Sequence, residues 1–449
     1  MDRSDQSTRS RKGNPLAAQT SFLSDILRRV ASAGRNARAQ RNTADKAGQG
    51  DLIDLCRRLL NDKGEASVLM TAQQILDDYA GLDADGKRAF FERISTEFGV
   101  DDEALRVAIE AWSEGDLNAA RELHFVAEPA SQELIRALNR VPGATAQLVS
   151  MRADLLEISK GDAALQGLDT DFRHLFGSWF NRGFLEIRRI DWSTPADVLE
   201  KIIAYEAVHE INGWDDLRQR VGDPDRRLFG FFHPAMPTEP LIFVEVALTS
   251  EIPDAISRIL SVDRERVEPE LADTAVFYSI SNCQKGLRGI SFGNFLIKQV
   301  VAELQKDLPG LKTFVTLSPV PALRNWVARA LQENDALLSG RDRKALSNLD
   351  QNELPPPEVA ARIAARYLTR AKRPTGTAFD PVAHFHLGNG AILHAVHPEA
   401  DLGERGVKGA WGTMVNYLYD ENEIQARHQA YATEQKIAAS PAVLTLSSD

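Results

Sequence analysis

The sequence predicts an α+β protein, a helical bundle followed by a mixed α/β domain, and three observations carry that expectation. At 449 residues the chain exceeds the size at which one hydrophobic core keeps growing. Apolar residues recur at helical spacing from residue 51 to about 165. Beyond that point β-branched runs alternate with helical stretches and with Pro/Gly turns. With 43% apolar and 26% charged residues there is ample material for buried cores, which sets wholesale disorder aside.

Residues 1–50 differ from the rest. They hold ten Lys/Arg against four Asp in a chain whose net charge is −11. Their Ser, Arg, Gln, Asn and Gly content reads as a flexible basic arm with one apolar island at Phe22, Leu23, Ile26, Leu27 and Val30; a docking or targeting segment is the alternative. The acidic total opposes binding to a polyanion, so nucleic acid is not an expected partner. No apolar run approaches the ~18 residues that span a bilayer, and no secretory h-region opens the chain, so no membrane association and a cytoplasmic location are expected. Cys56 and Cys283 are too few and too far apart for a disulfide framework or a zinc knuckle.

Residues 51–165 form the predicted bundle. Phe91, Ile94 and Phe98, then Leu105, Ala108, Ile109 and Trp112, then Leu134, Leu138 and Val141 mark single apolar faces. Gly99 stops one helix, Asp101 or Asp102 caps the next, and Pro142-Gly143 breaks a third. No His or carboxylate cluster here argues for catalysis, so the expected role is structural or oligomeric.

The α/β domain is expected over 166–449. Residues 227–233 and 241–248 read as two strands joined by a Pro-rich turn, with Glu245 interrupting the second. Residues 274–280 then read as strand, 293–306 as helix, 313–317 as strand and 321–332 as helix, a β-α-β-α unit whose crossover favours a parallel pair. The charged stretch 335–375 reads as a helical insertion before final strands around 384–395 and 409–419.

Between the strand and helix of that unit lies Arg288-Gly289-Ile290-Ser291-Phe292-Gly293-Asn294. Small residues there let the backbone approach a ligand, and the following helix offers free N–H groups and its positive dipole end to an anion such as a pyrophosphate. Arg288-x-x-Ser291-x-Gly293 resembles the pyrophosphate loop of the GNAT acetyltransferase fold, with Ser291 where glycine is usual. The glycine spacing is wrong for the dinucleotide fingerprint.

Four motifs in order extend the resemblance. They are Phe277-Tyr-Ser-Ile-Ser-Asn-Cys-Gln-Lys-Gly-Leu-Arg-Gly-Ile290, Leu317-Ser-Pro-Val-Pro321, Asp380-Pro-Val-Ala-His-Phe-His-Leu-Gly-Asn-Gly-Ala391 and Asn416-Tyr-Leu-Tyr419. Together they are similar to the malonyl-CoA decarboxylase family, most strongly over about residues 165–420. The resemblance implies a helical N-terminal domain used in oligomer formation, a GNAT-like catalytic domain, malonyl-CoA as substrate, a homodimer or homotetramer, and no metal or organic cofactor. It places the family's serine at Ser318, its histidine at His386 and its CoA-binding loop at Arg288 through Asn294. Animal members carry an acid at the Ser291 position, so a charge-dependent role of that residue does not carry over.

Decarboxylation of malonyl-CoA moves the bonding electrons onto the thioester carbonyl, so donors that hold the enolate lower the barrier and an acid must then protonate carbon. His386, with an ordinary pKa of ~6.5, is the expected proton donor. Ser318, in a Leu-Ser-Pro turn, is expected to hydrogen-bond, orienting the carboxylate, pairing with His386 or accepting a proton; as a bland alternative it merely caps a helix. His384 and His386 fall on one face of the predicted strand, which also permits a metal site extended by His394 and His397, although no acid or thiol accompanies them at ligand spacing. Tyr419 and Ser279 are supporting hydrogen-bond candidates. A CoA-dependent acyltransferase and a non-catalytic acyl-CoA sensor are the competing functions.

Overall fold

The structure, a computed structural model, describes residues 52–290, 296–347, 349 and 353–448. Two compact units divide between Phe176 and Gly177. Helices make up the first: α1 (Leu52–Asn61), α2 (Glu65–Ala80), α3 (Ala84–Glu97), α4 (Asp102–Ala111), α5 (Leu117–Val126), α6 (Ala130–Leu138), α7 (Ala144–Ile158) and most of α8 (Ala163–Trp179). Their starts follow the local chemistry: the carboxylates of Asp83, Asp101 and Asp116 accept the free N–H groups of α3, α4 and α5. Ile53, Ile75, Phe91, Ile94, Leu134, Leu138, Leu148 and Phe172 form the buried faces.

The second unit is one mixed sheet between helical layers. Its strands are β1 (Glu186–Ile190), β2 (Arg226–Phe232), β3 (Ile242–Thr249), β4 (Thr274–Asn282), β5 (Thr313–Thr316), β6 (Ser318–Pro319), β7 (Ile392–His397) and β8 (Met414–Tyr419). The order is β1-β2-β3-β4-β5-β8-β6, with β7 paired to β8. Among the described strands only β4 and β5 pair in parallel, and α12 (Leu296–Asp307) connects them as predicted. The class and the order of the two parts are therefore those expected from the sequence. Among the described residues no helix is long and apolar enough to cross a membrane.

The intervening helices are α9 (Ala196–Tyr205), α10 (Trp214–Gly222), α11 (Ser257–Leu260), α13 (Leu323–Gln332), α14 (Gly340–Ser347), α15 (Pro357–Arg370), α16 (Pro381–Gly388), α17 (Glu404–Ala410), α18 (Ile424–Glu434) and α19 (Pro441–Ser448). Phe314 of β5 points to the face covered by α12, α13, α15 and α16, while Val315 and Leu317 point to the opposite face with Tyr278, Met414 and Ala400. Strand alternation puts Thr316 and Ser318 on the Phe314 side.

One expectation is corrected. The strand predicted to begin at His384 is helix α16 as far as Gly388, because the Asp380 carboxylate accepts from the N–H groups of Val382 and Ala383 and Pro381 opens the helix; β7 begins only at Ile392. The stretch 335–375, expected as a charged helical insertion before the last strands, holds α14 and α15, and α15 contributes to the main core. Its Arg362 and Arg366 are buried because both pair with the fully buried Asp342, each at 2.6 Å.

Candidate active site

The sheet parts at a definite point. β4 pairs β5 from Thr274–Thr313 to Phe277–Thr316, and the Leu317 N–H still donates to the Phe277 carbonyl. Past that bond the chain at Ser318 stays with β8, where Ser318 opposes Val415, while β4 continues to Asn282 alongside β3. Tyr278 forms a β-bulge there, since Phe277 opposes Val246 and Ser279 opposes the next residue, Glu245. Beyond Phe277 no ladder joins β4 to the segment carrying Ser318, and the bulge adds a local bend, so the two edges face each other across an unpaired gap. Glu245, expected to interrupt its strand, lies at this irregularity, fully buried and paired with Arg220 at 3.1 Å.

Ser318 is buried at the mouth of the gap, and α16 brings His386 to it. The Ser318 Oγ lies 3.3 Å from His386 Nε2 and 2.9 Å from Thr316 Oγ1. On the other side of the ring, Tyr419 Oη lies 2.7 Å from Nδ1. Tyr417 stacks on the imidazole at 4.5 Å between centroids, 23° from parallel. Both tyrosines project from one face of β8, as alternate residues must.

Burial dominates the electrostatics of this set. It pushes the imidazolium of His386 down to about 3 and the phenol of Tyr419 well above its ordinary range. The ring is thus neutral and the phenol protonated near pH 7. A protonated phenol donates to Nδ1, which leaves the ring proton on Nε2, directed at Ser318; Ser318 in turn donates to Thr316 Oγ1. The expectation of a histidine titrating near 6.5 is corrected accordingly, because only a solvated imidazole keeps that value.

The other candidates are placed as follows. Arg288, Gly289 and Ile290 follow β4 past a short 3-10 turn (Lys285–Leu287), with Arg288 and Gly289 exposed. The backbone of Gly289 takes φ +79°, which favours glycine. Ser291, Phe292, Gly293 and Asn294 lie outside the described residues. Ser279 is not joined to Ser318 or His386; its hydroxyl donates to the Glu206 carboxylate at 2.8 and 2.9 Å on the opposite face of the sheet. His384, expected to share a strand face with His386, instead bonds Tyr431 Oη at 2.8 Å. His397 bonds Asn416, so the histidines do not converge; among the described residues no group of three His, Cys, Asp or Glu is placed to hold a metal.

Sequence reasoning missed Thr316, Tyr417 and Asn416 as parts of the set. The Asn416 amide donates to the Thr316 carbonyl at 2.8 Å, and the Tyr417 N–H donates to Thr316 Oγ1 at 3.1 Å, which hold the turn before Ser318. The two-residue spacing of Thr316 from Ser318 and of Tyr417 from Tyr419 was the available signal.

Comparison with known proteins agrees over both units. Residues 183–448 match the model of the malonyl-CoA decarboxylase C-terminal domain, and residues 98–180 match that of the N-terminal domain. A goose (Anser anser anser) protein named malonyl-CoA decarboxylase, mitochondrial, is 34% identical over 411 residues, 82% of this chain and 81% of its own length. The rat (Rattus norvegicus) protein of the same name is 34% identical over 364 residues, 74% of this chain and 73% of its own. Among solved structures, that of malonyl-CoA decarboxylase from Rhodopseudomonas palustris is 48% identical with a TM-score of 0.84, covering 88% of this chain and 98% of that one. The Agrobacterium vitis structure matches at the same identity and TM-score over 89% of this chain and all of its own.

Proposed function

This chain belongs to the malonyl-CoA decarboxylase family and is a malonyl-CoA decarboxylase, and from that premise we propose how its own residues carry out the reaction. Malonyl-CoA enters the gap between β4 and Ser318, with its diphosphate held by the loop 288–294. The carbon–carbon bond to the carboxylate breaks, carbon dioxide departs, and the electron pair moves onto the thioester oxygen as an enolate.

Ser318 holds that oxygen. Its hydroxyl turns from Thr316 to the enolate, a donor set in a dry pocket where such a bond is strongest. The Nε2–H of His386 then protonates the carbanion carbon. A neutral imidazole suffices because a thioester enolate is far more basic than an ordinary carboxylate, and Tyr419 hands a proton to Nδ1 as Nε2 loses one. After acetyl-CoA leaves, the Nδ1 proton returns to Tyr419 and Nε2 takes a proton from solvent, which restores the starting tautomer and balances the cycle: malonyl-CoA plus a proton gives acetyl-CoA and carbon dioxide. No covalent acyl-serine is required. We further propose that the helical unit serves in forming a homodimer or homotetramer.

The observation that carries the reading is the continuous line from Tyr419 through His386 to Ser318. Replacing Ser318 or His386 by alanine should lower kcat by roughly 10² to 10⁴-fold, the range for lost oxyanion donors and general acids, while CoA binding stays within a few-fold. Full turnover in both variants would overturn the assignment.

A further inference from the structure

Strands β5 and β8 pair as far as Val315–Leu418, and the same register resumes at Ser318–Val415. In the interruption, immediately before Ser318, side chains take over from the main-chain ladder. The Tyr417 N–H donates to the Thr316 hydroxyl at 3.1 Å, the Asn416 amide donates to the Thr316 carbonyl at 2.8 Å, and the Leu317 N–H turns to the Phe277 carbonyl of β4 at 3.0 Å. His397 sets the sense of the Asn416 amide, whose oxygen accepts from the ring Nε2 and whose NH2 is left for Thr316. Thr316 and Asn416 are both fully buried. Main-chain pairing alone would not engage the Thr316 hydroxyl; here a fixed N–H holds it 2.9 Å from Ser318 Oγ.

A hydroxyl has two lone pairs and one hydrogen. At rest the lone pairs of Thr316 Oγ1 are taken by Tyr417 N–H and by Ser318, and Ser318 Oγ accepts from His386 Nε2–H. Resting on the reading that Ser318 donates to the enolate, we propose that Thr316 is a positioning residue acting through Ser318. As the Ser318 hydrogen turns to the thioester oxygen, the Thr316 hydrogen rotates to Ser318 Oγ and replaces the donor that His386 withdraws.

The reaction itself creates the need for that second donor. Once the Nε2 proton passes to the carbanion carbon, Ser318 Oγ loses its partner while it still supports the enolate, and an unpaired oxygen in a buried site is unfavourable. The line from Tyr417 N–H through the Thr316 and Ser318 hydroxyls to the enolate keeps every member paired, and each bond polarises the next. No proton changes owner between the two hydroxyls; only their rotors turn.

A double-mutant cycle in the full-length chain tests the role. Thr316→Val keeps the shape and removes the hydroxyl, and should lower kcat for malonyl-CoA about ten-fold or more, the range for one lost buried hydrogen bond, with KM and inhibition by acetyl-CoA changed less than about two-fold. Thr316→Ser, which keeps the hydroxyl, should recover most of the loss. In a Ser318→Ala background the same Thr316→Val change should lower kcat by less than about a further two-fold, because the residue it acts through is gone. A threonine that only supports the fold would slow both backgrounds alike. Full kcat in Thr316→Val, no recovery in Thr316→Ser, or losses that multiply in the double variant would overturn the proposal. Inhibition by acetyl-CoA reports on folded protein, and Thr316→Ala is carried through the same cycle in case Thr316→Val does not bind it. Full turnover in Ser318→Ala alone would instead sink the enolate reading, which keeps the two failures apart.

Discussion

His386 is held by three neighbours of different kinds: a phenol at Nδ1, a hydroxyl at Nε2 and a ring against its face. Tyr419→Phe removes the first without emptying the space. It should lower kcat by roughly ten-fold or more as the proton relay to Nδ1 is lost, with KM little changed, read by steady-state kinetics. Burial makes a second prediction. With its pKa pushed down to about 3, His386 stays neutral across the physiological range, so the pH profile of kcat/KM should show no limb near 6.5 that vanishes when His386 is replaced. Stability shows the same shift with a definite sign. Below ~6.5 the unfolded chain takes a proton on this histidine and the folded chain does not until about 3, so folding is weakened as pH falls through that window, by at most ~1.4 kcal/mol per pH unit from this residue. Denaturant titrations at pH 6.5 and 4.5 should therefore show a smaller drop for His386→Gln than for the parent chain.

Two elements hold the site in register. Helix α16 ends in Asn389 and Gly390, and Gly390 takes φ +86° with room for no side chain: a Cβ there would fall 2.1 Å from the Ile424 carbonyl oxygen. Gly390→Ala should lower the melting temperature by several degrees and shift α16 enough to lower kcat, whereas alanine at Gly340, where a Cβ meets open space, should do neither. The α14–α15 clasp predicts a contrast in energy. Asp342→Asn leaves two buried guanidinium groups without their charge partner and should cost about 3–5 kcal/mol in chemical denaturation. Arg258→Ala breaks only exposed pairs with Glu251 and Asp254 and should cost less than about 1 kcal/mol. These elements also mark where sequence reasoning stops. Asp380-Pro381 is a helix opening legible in the sequence, but His384-x-His386 invited a strand reading because a spacing of two says nothing about the backbone when the run is short and apolar. Arg362 and Arg366 made α15 read as part of a charged insertion, with no sign that it joins the core, since charge in a sequence does not reveal that a single buried aspartate neutralises it.

Across the whole molecule, the β-α-β-α unit was legible because α12 and its flanking strands have clean, opposite periodicities. The parting of β4 from β5 was not. It arises from the bulge at Tyr278 and from the pairing of Ser318 with β8, both of which are matters of pairing between segments dozens of residues apart. Ser318, His386 and Tyr419 could be named from the family motifs that surround them; their mutual geometry needed the fold.

The central claim is that the gap beyond Phe277 is where the thioester reacts. A crystal structure of the chain with a malonyl-CoA analogue whose thioester sulfur is replaced by a methylene tests it most directly. The account predicts the carbonyl oxygen within hydrogen-bond distance of Ser318 Oγ and the central carbon within reach of His386 Nε2. An acyl group bound elsewhere, with Ser318 still bonded to Thr316 and His386 facing no ligand, would contradict it.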